Sequence, residues 1–268
     1  MNLVIKGLCA AAVLTVLPLQ GLAQSLSDAV AGEHRAEANA ARDDFRHPQA
    51  TLEFFGVKAT DKVVEISPGG GWYTEILAPY LRNGGALYAA HFPADSDVGY
   101  YQRSRKGFLE KLAATPAVYD QVKVTEFVPS DASKAVPLGQ ADKVLTFRNV
   151  HNWVKGGFGE QAFKSFYDML APGGVLGVVE HRAKPGTSLE TMKVSGYMTE
   201  AEVIRLAQSA GFVLDAKSEI NANKKDTANH PKGVWTLPPT LALGDEDRDA
   251  YLAIGESDRM TLRFKKPE

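Results

Sequence analysis

The segment Glu65–Thr74 (EISPGGGWYT) carries the strongest chemical signal in the sequence. A short apolar stretch before it predicts a buried strand, and a helix is predicted after it. Glycines let the backbone turn sharply and approach a ligand closely, and a helix N-terminus offers free N–H groups. Glu65 would accept hydrogen bonds from ammonium or hydroxyl groups of a ligand. A purely structural turn is the alternative, although the strand–turn–helix context favours a ligand loop.

Polar side chains are expected at the ends of the strands that follow. His91 ends the second strand, Asp131 follows the third, Arg148–Trp153 follows the fourth and Glu180–Arg182 ends the fifth. Open parallel sheets bind ligands at the carboxyl ends of their strands. Each residue alone is equally well explained as a capping or solvated side chain, but their convergence favours a binding site.

Three of the strand-end residues are histidines, which raises the question of a metal. Neighbouring strands lie about 4.8 Å apart, so His151 and His181 could share an ion, whereas His91 belongs to a more distant strand. No His-x-x-x-His or carboxylate spacing supports a metal site, so none is predicted.

A dense polar cluster, Arg42–Asp43 and Arg46–Pro48, precedes the first strand. One interpretation is a capped and solvated helix end. The other is a lid segment that folds over the site, and the sequence leaves both open.

The elements that must position these residues follow from hydrophobic periodicity and turn residues. Strands are predicted at 62–66, 86–91, 122–128, 142–149, 175–182, 212–220 and 260–265. Helices are predicted at 25–45, after Pro48, and at 72–81, 100–114, 161–170 and 199–210, with Pro79 expected to end or kink its helix. Strands that alternate with helices through short loops indicate βαβ units and hence a parallel sheet.

The last strand follows no clear crossover helix, so its position alone predicts antiparallel pairing at the sheet edge. Residues Asn221–Asp258 before it form an insertion rich in Asn, Lys, Pro and Asp. A segment of this length without periodicity is usually functional or disordered. It leaves from the strand-end face, so it is placed to cover a site.

Residues 1–23 have the features of a secretory signal peptide: Lys6, an apolar run over Gly7–Leu19 and a small-x-small site at Gly21–Ala23. A transmembrane anchor is the alternative, but the run is shorter than the ~20 residues that a span needs. We therefore expect cleavage near Ala23–Gln24, a periplasmic or secreted protein and no stable membrane insertion afterwards. Residues 24–268 would then form a single domain, with 24–60 as its N-terminal helical segment.

Composition narrows the function classes. The 268 residues are 44% hydrophobic and 23% charged, which suits a globular domain. Cys9 is the only cysteine, so removal of the leader excludes disulfides, thiolate nucleophiles and cysteine–zinc sites. The net charge of −2 becomes −3 when Lys6 is lost, which gives no electrostatic footprint for nucleic acid.

Four stretches together resemble a known family: 47–79, LTFRNVHNW (145–153), LAPGGVLGVVEHR (170–182) and 254–267. They are similar to predicted bacterial class I, S-adenosylmethionine-dependent methyltransferases, which are often exported. The resemblance implies a Rossmann-like α/β fold with helices on both faces of a mostly parallel seven-stranded sheet. The implied strand order is 3-2-1-4-5-7-6 with an antiparallel last strand, and the implied cofactor is S-adenosyl-L-methionine.

The resemblance also assigns roles to residues. Glu65, Ser67, Gly69 and Gly71, with Pro68 between them, occupy the acidic-x-Gly-x-Gly-x-Gly loop that cradles the methionine part of the cofactor, and Ser67 replaces its first glycine. Asp131 matches the acidic residue near the adenine, and Asn149 lies where cofactor and substrate meet. The end of strand two usually carries an acid for the ribose hydroxyls. Here it carries His91, whose neutral ring accepts one hydrogen bond where a carboxylate accepts two.

We therefore predict methyl transfer to an unidentified small-molecule acceptor. His151 is the candidate general base, because its unperturbed pKa lies near working pH. Asn149, Asn152 and Trp153 would shape the pocket, and Tyr73 would lie over the sulfonium as a cation–π partner.

Two other hypotheses remain. S-adenosylmethionine is charged and does not cross a bilayer unaided, so its supply outside the cytoplasm is unexplained. A non-catalytic protein that binds a nucleoside-like or other small polar ligand on the same scaffold is therefore the second hypothesis. Metal-assisted hydrolysis by the strand-end histidines is the third. Neither the acceptor nor the oligomeric state follows from the sequence.

Overall fold

The computed structural model describes residues 25–268. The predicted signal peptide, residues 1–23, lies outside this range. Between residues 25 and 268, no helix combines the length and the apolar character needed to cross a membrane.

The described chain forms one seven-stranded sheet. Its strands are β1 (Lys62–Ile66), β2 (Ala86–His91), β3 (Lys123–Glu126), β4 (Ala141–Phe147), β5 (Leu170–His181), β6 (Val213–Ser218) and β7 (Arg259–Lys265). The strand order is β3-β2-β1-β4-β5-β7-β6, with β1 to β5 parallel and β7 antiparallel to both of its neighbours. The predicted order, the mostly parallel pairing and the antiparallel last strand are thus confirmed.

The expectation that the last strand lies at the edge is wrong, because β7 lies between β5 and β6. Met260, Leu262 and Phe264 of β7 are fully buried, and Thr261 on the opposite face is buried as well. The Asn221 side-chain amide donates to the Thr261 hydroxyl at 2.9 Å, which satisfies this polar group inside the fold. The strand at this edge is β6, where exposed and half-buried positions alternate.

The helices are α1 (Leu26–Val30), α2 (Glu37–Ala40), α3 (Asp43–Arg46), α4 (Pro48–Phe54), α5 (Thr74–Leu81), α6 (Gly99–Ala114), α7 (Pro116–Tyr119), α8 (Val150–Lys155), α9 (Gly159–Met169), α10 (Leu189–Ser195), α11 (Glu200–Ser209) and α12 (Arg248–Ile254). Short 3₁₀ turns lie at Ala132–Lys134 and Gly233–Thr236.

Two apolar cores lie on opposite faces of the sheet. Successive residues of a strand point to opposite faces, so Val64 and Val144 join one core, whereas Val63 and Leu145 join the other. Helices α9 and α11 supply the first core and α1, α4, α5 and α6 supply the second. Helices cover both faces of the sheet. A ligand can therefore reach the strand residues only at the end of the sheet where the parallel strands finish.

The single helix expected over residues 25–45 is wrong, since the segment forms the three short helices α1, α2 and α3. Its path is set by α5. Pro79 has no N–H, so the Glu75 carbonyl one turn earlier lacks a helical partner, and the His34 Nε2–H donates to it at 2.6 Å. Helix α5 continues through Pro79 to Leu81 instead of ending there. The N-terminal segment is thus fastened beside the glycine-rich loop.

The segment 221–258 runs from β6 to β7 and holds the second 3₁₀ turn and α12. Asp226 anchors it: its carboxylate accepts from the Tyr197 hydroxyl at 2.9 Å and from the Asp258 backbone N–H at 2.8 Å. This brings a set of its residues to the carboxyl ends of the strands, where they line a cavity: Val234, Trp235, Pro238–Thr240, Glu256 and Ser257.

Candidate functional site

A cavity of about 1030 Å³ opens at the carboxyl ends of β1, β4 and β5. It is enclosed by the loop after β1, the residues that follow β2 and β3, the stretch from Arg148 to Phe158, the N-terminal segment and the segment 221–258. Its volume is at the upper end of the ~300–1,000 Å³ usual for small-molecule sites, which leaves room for more than one small ligand.

The loop after β1 is shaped by three residues with positive φ: Ser67 (50°), Gly69 (58°) and Gly71 (78°). A Cβ at Gly69 would meet no atom within 4 Å, so its backbone can be approached from the cavity. A Cβ at Gly71 would lie 2.9 Å from the Phe108 ring, so this glycine serves packing against α6 and does not line the cavity. Ser67 occupies a position that favours glycine, consistent with its place as a substituted glycine.

Glu65 lines the cavity but is 2% exposed. Its carboxylate accepts a hydrogen bond from the Thr74 hydroxyl at 2.6 Å. Burial raises the pKa of Glu65 to about 7, and the Thr74 hydrogen bond opposes this only in part. The loop therefore presents a carboxyl group whose charge a bound ammonium or hydroxyl donor would favour.

Tyr73 and Phe147 form an aromatic wall. Their rings stack at 3.6 Å with an interplanar angle of 11°, so one face of Tyr73 is covered. Trp72 meets Tyr73 edge-on, and the guanidinium groups of Arg35 and Arg46 lie 5.1 and 4.7 Å from the centre of the Trp72 ring. Trp72 thus ties the N-terminal segment to the loop through cation–π contacts.

His151 lies at the first turn of α8 and lines the cavity. Its Nδ1–H donates to Glu180 Oε1 at 3.0 Å, and its backbone N–H donates to Glu180 Oε2 at 3.3 Å. The His181 backbone N–H also donates to Glu180 Oε1, at 2.8 Å. A fully buried carboxylate therefore fixes the tautomer of His151 and leaves Nε2 as the proton acceptor.

His181 lies beside His151, with 5.4 Å between the ring centres, and its Nδ1 contacts the Ser257 hydroxyl at 2.6 Å. Burial, followed by the neighbouring His151 and Arg148, holds the pKa of His181 well below its usual value. Ligand atoms of His151, Glu180 and His181 lie within 4.8 Å of one another, which is compatible with a metal, whereas His91 is not part of this group. The arginines that act on His181 oppose a cation at this place.

The other residues expected in the pocket differ in how far they contribute to its lining. The Asn149 side-chain amide donates to the Ile66 carbonyl at 3.2 Å, which ties the end of β4 to the end of β1. Asn152 is exposed at the cavity rim, and Pro68 also lines it. Trp153 reaches the cavity but packs mainly in the core, with Phe127 and Phe166 at 5.3 and 5.2 Å.

Two expected ligand residues, His91 and Asp131, do not line the cavity. The Phe92 backbone N–H donates to His91 Nδ1 at 2.8 Å, so Nε2 carries the proton and donates to the Gly69 carbonyl at 3.1 Å. Burial lowers the pKa of His91 to about 4, so the ring is a neutral brace for the loop. Asp131 accepts from the Ser133 backbone N–H at 3.2 Å and caps the 3₁₀ turn that follows β3.

At the end of β2, the cavity is lined by aromatic residues and not by His91. Phe92 and Tyr101 stack at 3.9 Å, and both line the cavity together with Pro93 and Tyr100. This end of the cavity therefore offers flat apolar surface and no carboxylate among the residues that line it.

Sequence reasoning missed a cluster of arginines around one acid. Arg42, Arg46 and Arg148 line the cavity with Glu256, and Arg259 lies behind them. The N-terminal polar cluster and Arg148 were visible in the sequence as charged residues. Glu256 and Arg259 lie more than 200 positions away from Arg46, so no local pattern could have joined them.

Methyltransferases of known structure have a similar fold. An S-adenosylmethionine-dependent methyltransferase from Aquifex aeolicus matches with a TM-score of 0.56 at 14% identity, over 84% of this chain and 93% of that one. An O-methyltransferase family protein from Burkholderia thailandensis matches with a TM-score of 0.50 at 15% identity, over 92% and 64%. The fold is that of class I methyltransferases.

The likeness decides the fold and not the reaction. The [4+2]-cyclase SpnF matches with a TM-score of 0.58 at 14% identity, over 90% of this chain and 91% of that one, and its name is not that of a methyltransferase. No family model matches the chain, and no curated protein matches it in sequence. Its function therefore depends on the residues of the site.

Proposed function

We propose that the protein transfers a methyl group from S-adenosylmethionine to a small-molecule acceptor. The observation that carries this proposal is that the glycine-rich loop and His151, whose ring Glu180 orients, line the same cavity. A cofactor loop and an oriented base on a shared cavity are the two parts that such a transfer needs.

The loop residues fit such a cofactor on two grounds. The open space at Gly69 allows close approach to the backbone, and the buried Glu65 carboxyl, with its pKa of about 7, would gain from a nearby ammonium group. When bound, the cofactor supplies a methyl group that is already activated on a sulfonium. The cofactor would approach the backbone at Gly69, and the Tyr73–Phe147 wall would limit its position on the other side.

The base is provided by the chain itself. His151 Nε2 would accept the proton that the acceptor nucleophile loses, while Glu180 holds Nδ1–H and stabilises the imidazolium that forms. The segment 221–258 lines the cavity through Trp235 and the Pro238–Thr240 stretch, where it would limit the access of water.

Titration calorimetry of the purified protein with S-adenosylmethionine and S-adenosylhomocysteine tests the proposal, followed by a labelled-methyl transfer assay on small acceptors. We expect both ligands to bind and Gly69→Asp to abolish binding, because the new carboxylate would project into the cavity. Gly139→Asp is the matched control: Gly139 has a φ of 70°, equally open space and no place in the cavity lining. Absence of heat up to millimolar ligand, or binding that survives Gly69→Asp, would contradict the proposal.

A binding protein on the same scaffold is the second candidate. The observation in its favour is the end of β2, where Phe92 and Tyr101 line the cavity and His91 has both ring nitrogens engaged. An adenosine ribose would find no carboxylate among the lining residues at this point. Tight binding of S-adenosylhomocysteine without transfer to any acceptor would favour this candidate.

We also infer from residues 1–23 that the protein is exported and cleaved near Ala23–Gln24. N-terminal sequencing of the protein from a periplasmic extract checks this. Recovery of the uncleaved chain from the cytoplasm would contradict it.

A further inference from the structure

We propose that Arg46 and Arg148 form a recognition site for an anionic group, a carboxylate or a phosphate, on the methyl acceptor. This inference rests on the proposed function and names the class of its substrate. It comes from the imbalance of charge on one side of the cavity.

One carboxylate serves three guanidinium groups. The Glu256 carboxylate accepts from Arg42 Nε at 2.5 Å and from Arg46 Nε at 3.1 Å, and Arg259 Nη2 lies 3.1 Å from it. Glu256 is 4% exposed, so solvent screens these contacts little. A single negative charge cannot neutralise three cations.

Arg148 adds a fourth guanidinium group to this cluster. Among residues 25–268, no acidic oxygen lies within 4.0 Å of its guanidinium nitrogens and no hydrogen bond involves them. Its partial exposure is to the cavity that it lines. In addition, Nη2 of Arg42 is buried without a hydrogen-bond partner among the described residues. Donors without acceptors at a cavity wall are what an anionic ligand would satisfy.

The pKa values agree with this geometry. Burial and the neighbouring Arg259 lower the pKa of Arg148 to about 10, while burial and Arg148 lower that of Arg46 to about 8. The same arginines hold the pKa of Glu256 at about 2 against its burial. Protonated arginines kept this close gain from an added negative charge, and a guanidinium matches carboxylate and phosphate oxygens two at a time.

Arg46 adjoins the glycine-rich loop at Trp72, so the assignment of the anion to the acceptor comes from Arg148 and Arg259. Arg148 and Arg259 are among the groups that depress the pKa of His181, which lies next to the base His151. Arg259 begins β7, beside the end of β5, whereas the open Gly69 lies at the end of β1. An acceptor held by the arginines would thus have its nucleophile beside His151. The same positive charge disfavours a metal at His151, Glu180 and His181.

The test is a titration with inorganic phosphate and with benzoate at constant ionic strength, read as the melting temperature and by calorimetry. We expect both anions to stabilise the protein, and Arg148→Gln to weaken them at least about tenfold, as for loss of a charge-assisted hydrogen bond. Arg148→Gln should also raise the melting temperature of the ligand-free protein, because it relieves repulsion. Arg205→Gln is the matched control, since Arg205 is paired with Glu160 and Glu202 on the surface.

Binding of S-adenosylhomocysteine distinguishes the two sources of the anion, the acceptor and the carboxylate of the cofactor. If the site serves the acceptor, benzoate and S-adenosylhomocysteine bind together, and Arg148→Gln leaves the affinity for S-adenosylhomocysteine unchanged. Competition between them, with Arg148→Gln weakening S-adenosylhomocysteine but not 5′-methylthioadenosine, would assign the arginines to the cofactor carboxylate and overturn the inference. Anions that bind equally to Arg148→Gln and wild type would overturn it as well. Anion binding without S-adenosylhomocysteine binding would instead contradict the proposed function and leave the anion site standing.

Discussion

Glu65 and Glu256 line the same cavity and are equally buried, at 2% and 4% exposed, yet their pKa values lie near 7 and near 2. Glu65 lies near the end of β1, where burial outweighs the Thr74 hydrogen bond and the charge of Lys111. Glu256 lies among four arginines, whose charges exceed what one carboxylate can neutralise. The residue type is the same, so the difference comes from the surroundings.

The comparison divides the cavity into two regions. The region around Glu65 would gain from a bound cation, and the region around Glu256 would gain from a bound anion. A cofactor with an ammonium group in the first region and an anionic acceptor in the second would satisfy both. His151 stands beside the second region, where the proposed proton transfer takes place.

The largest expected effect concerns this base. His151→Gln should lower the turnover number by about 10²–10⁴-fold, as for loss of a general base, with little change in affinity for S-adenosylhomocysteine. His47→Gln makes the same chemical change at an exposed side chain and should leave turnover unchanged. Single-turnover kinetics measures both variants. An equal loss of turnover in both variants would contradict a specific role of His151 as the base between the two regions.

Glu256→Gln should destabilise the fold by about 3–5 kcal/mol, because it leaves buried arginines without their shared charge. A carboxyl whose folded pKa is lowered contributes stability that is complete above about pH 4.5 and is lost as the pH falls toward about 2. The variant should therefore lack this part of the acid transition. Urea unfolding measures it, with the exposed Glu160→Gln as the control. A loss no larger than that of the control would contradict the account of the arginine region.

Glu65→Gln should stabilise the fold, in contrast to Glu256→Gln. A carboxyl whose folded pKa is raised costs stability as the pH rises from about 4.5 to about 7, and the full cost remains above that. The variant should gain up to about 3 kcal/mol above pH 7 and nothing at acid pH. Melting temperatures across this range test it. A pH-independent difference from wild type would show that burial does not govern Glu65.

The smallest effect is expected at the turn. Ser67 has a φ of 50°, a conformation that costs a non-glycine residue about 1–2 kcal/mol. Ser67→Gly relieves this but adds about 0.4–1 kcal/mol of unfolded-state entropy, so a net gain of about 0.5 kcal/mol is expected in urea unfolding. Ser104→Gly, within helix α6, should lose stability instead. Loss at both positions would argue against strain at Ser67.

The elements near the glycine-rich loop could be predicted because their signals are local. Strand β1 is a run of buried residues between its neighbours, and the turn residues follow it directly. Helices α6, α9 and α11 were predicted to within about two residues at their ends, which is the usual precision of such boundaries.

Other features could not be predicted, because their causes lie in distant parts of the chain. The N-terminal segment forms short helices, and His34, which lies between α1 and α2, donates to the carbonyl that Pro79 leaves free in α5. Strand β7 alternates polar and apolar residues like an edge strand, but inside the sheet the hydroxyl of its Thr261 accepts a hydrogen bond from Asn221. His91 was expected at the ligand, whereas its two nitrogens hold the loop from behind.

The sequence by itself determined the α/β class and the glycine-rich turn between β1 and α5, because periodicity and turn chemistry are encoded in neighbouring residues. The family resemblance added the strand order. Only the tertiary structure decided that Glu180 orients His151 and that Arg42, Arg46, Arg148 and Arg259 surround Glu256. Charges act on each other through space and burial, and neither distance nor burial can be read from positions along the chain.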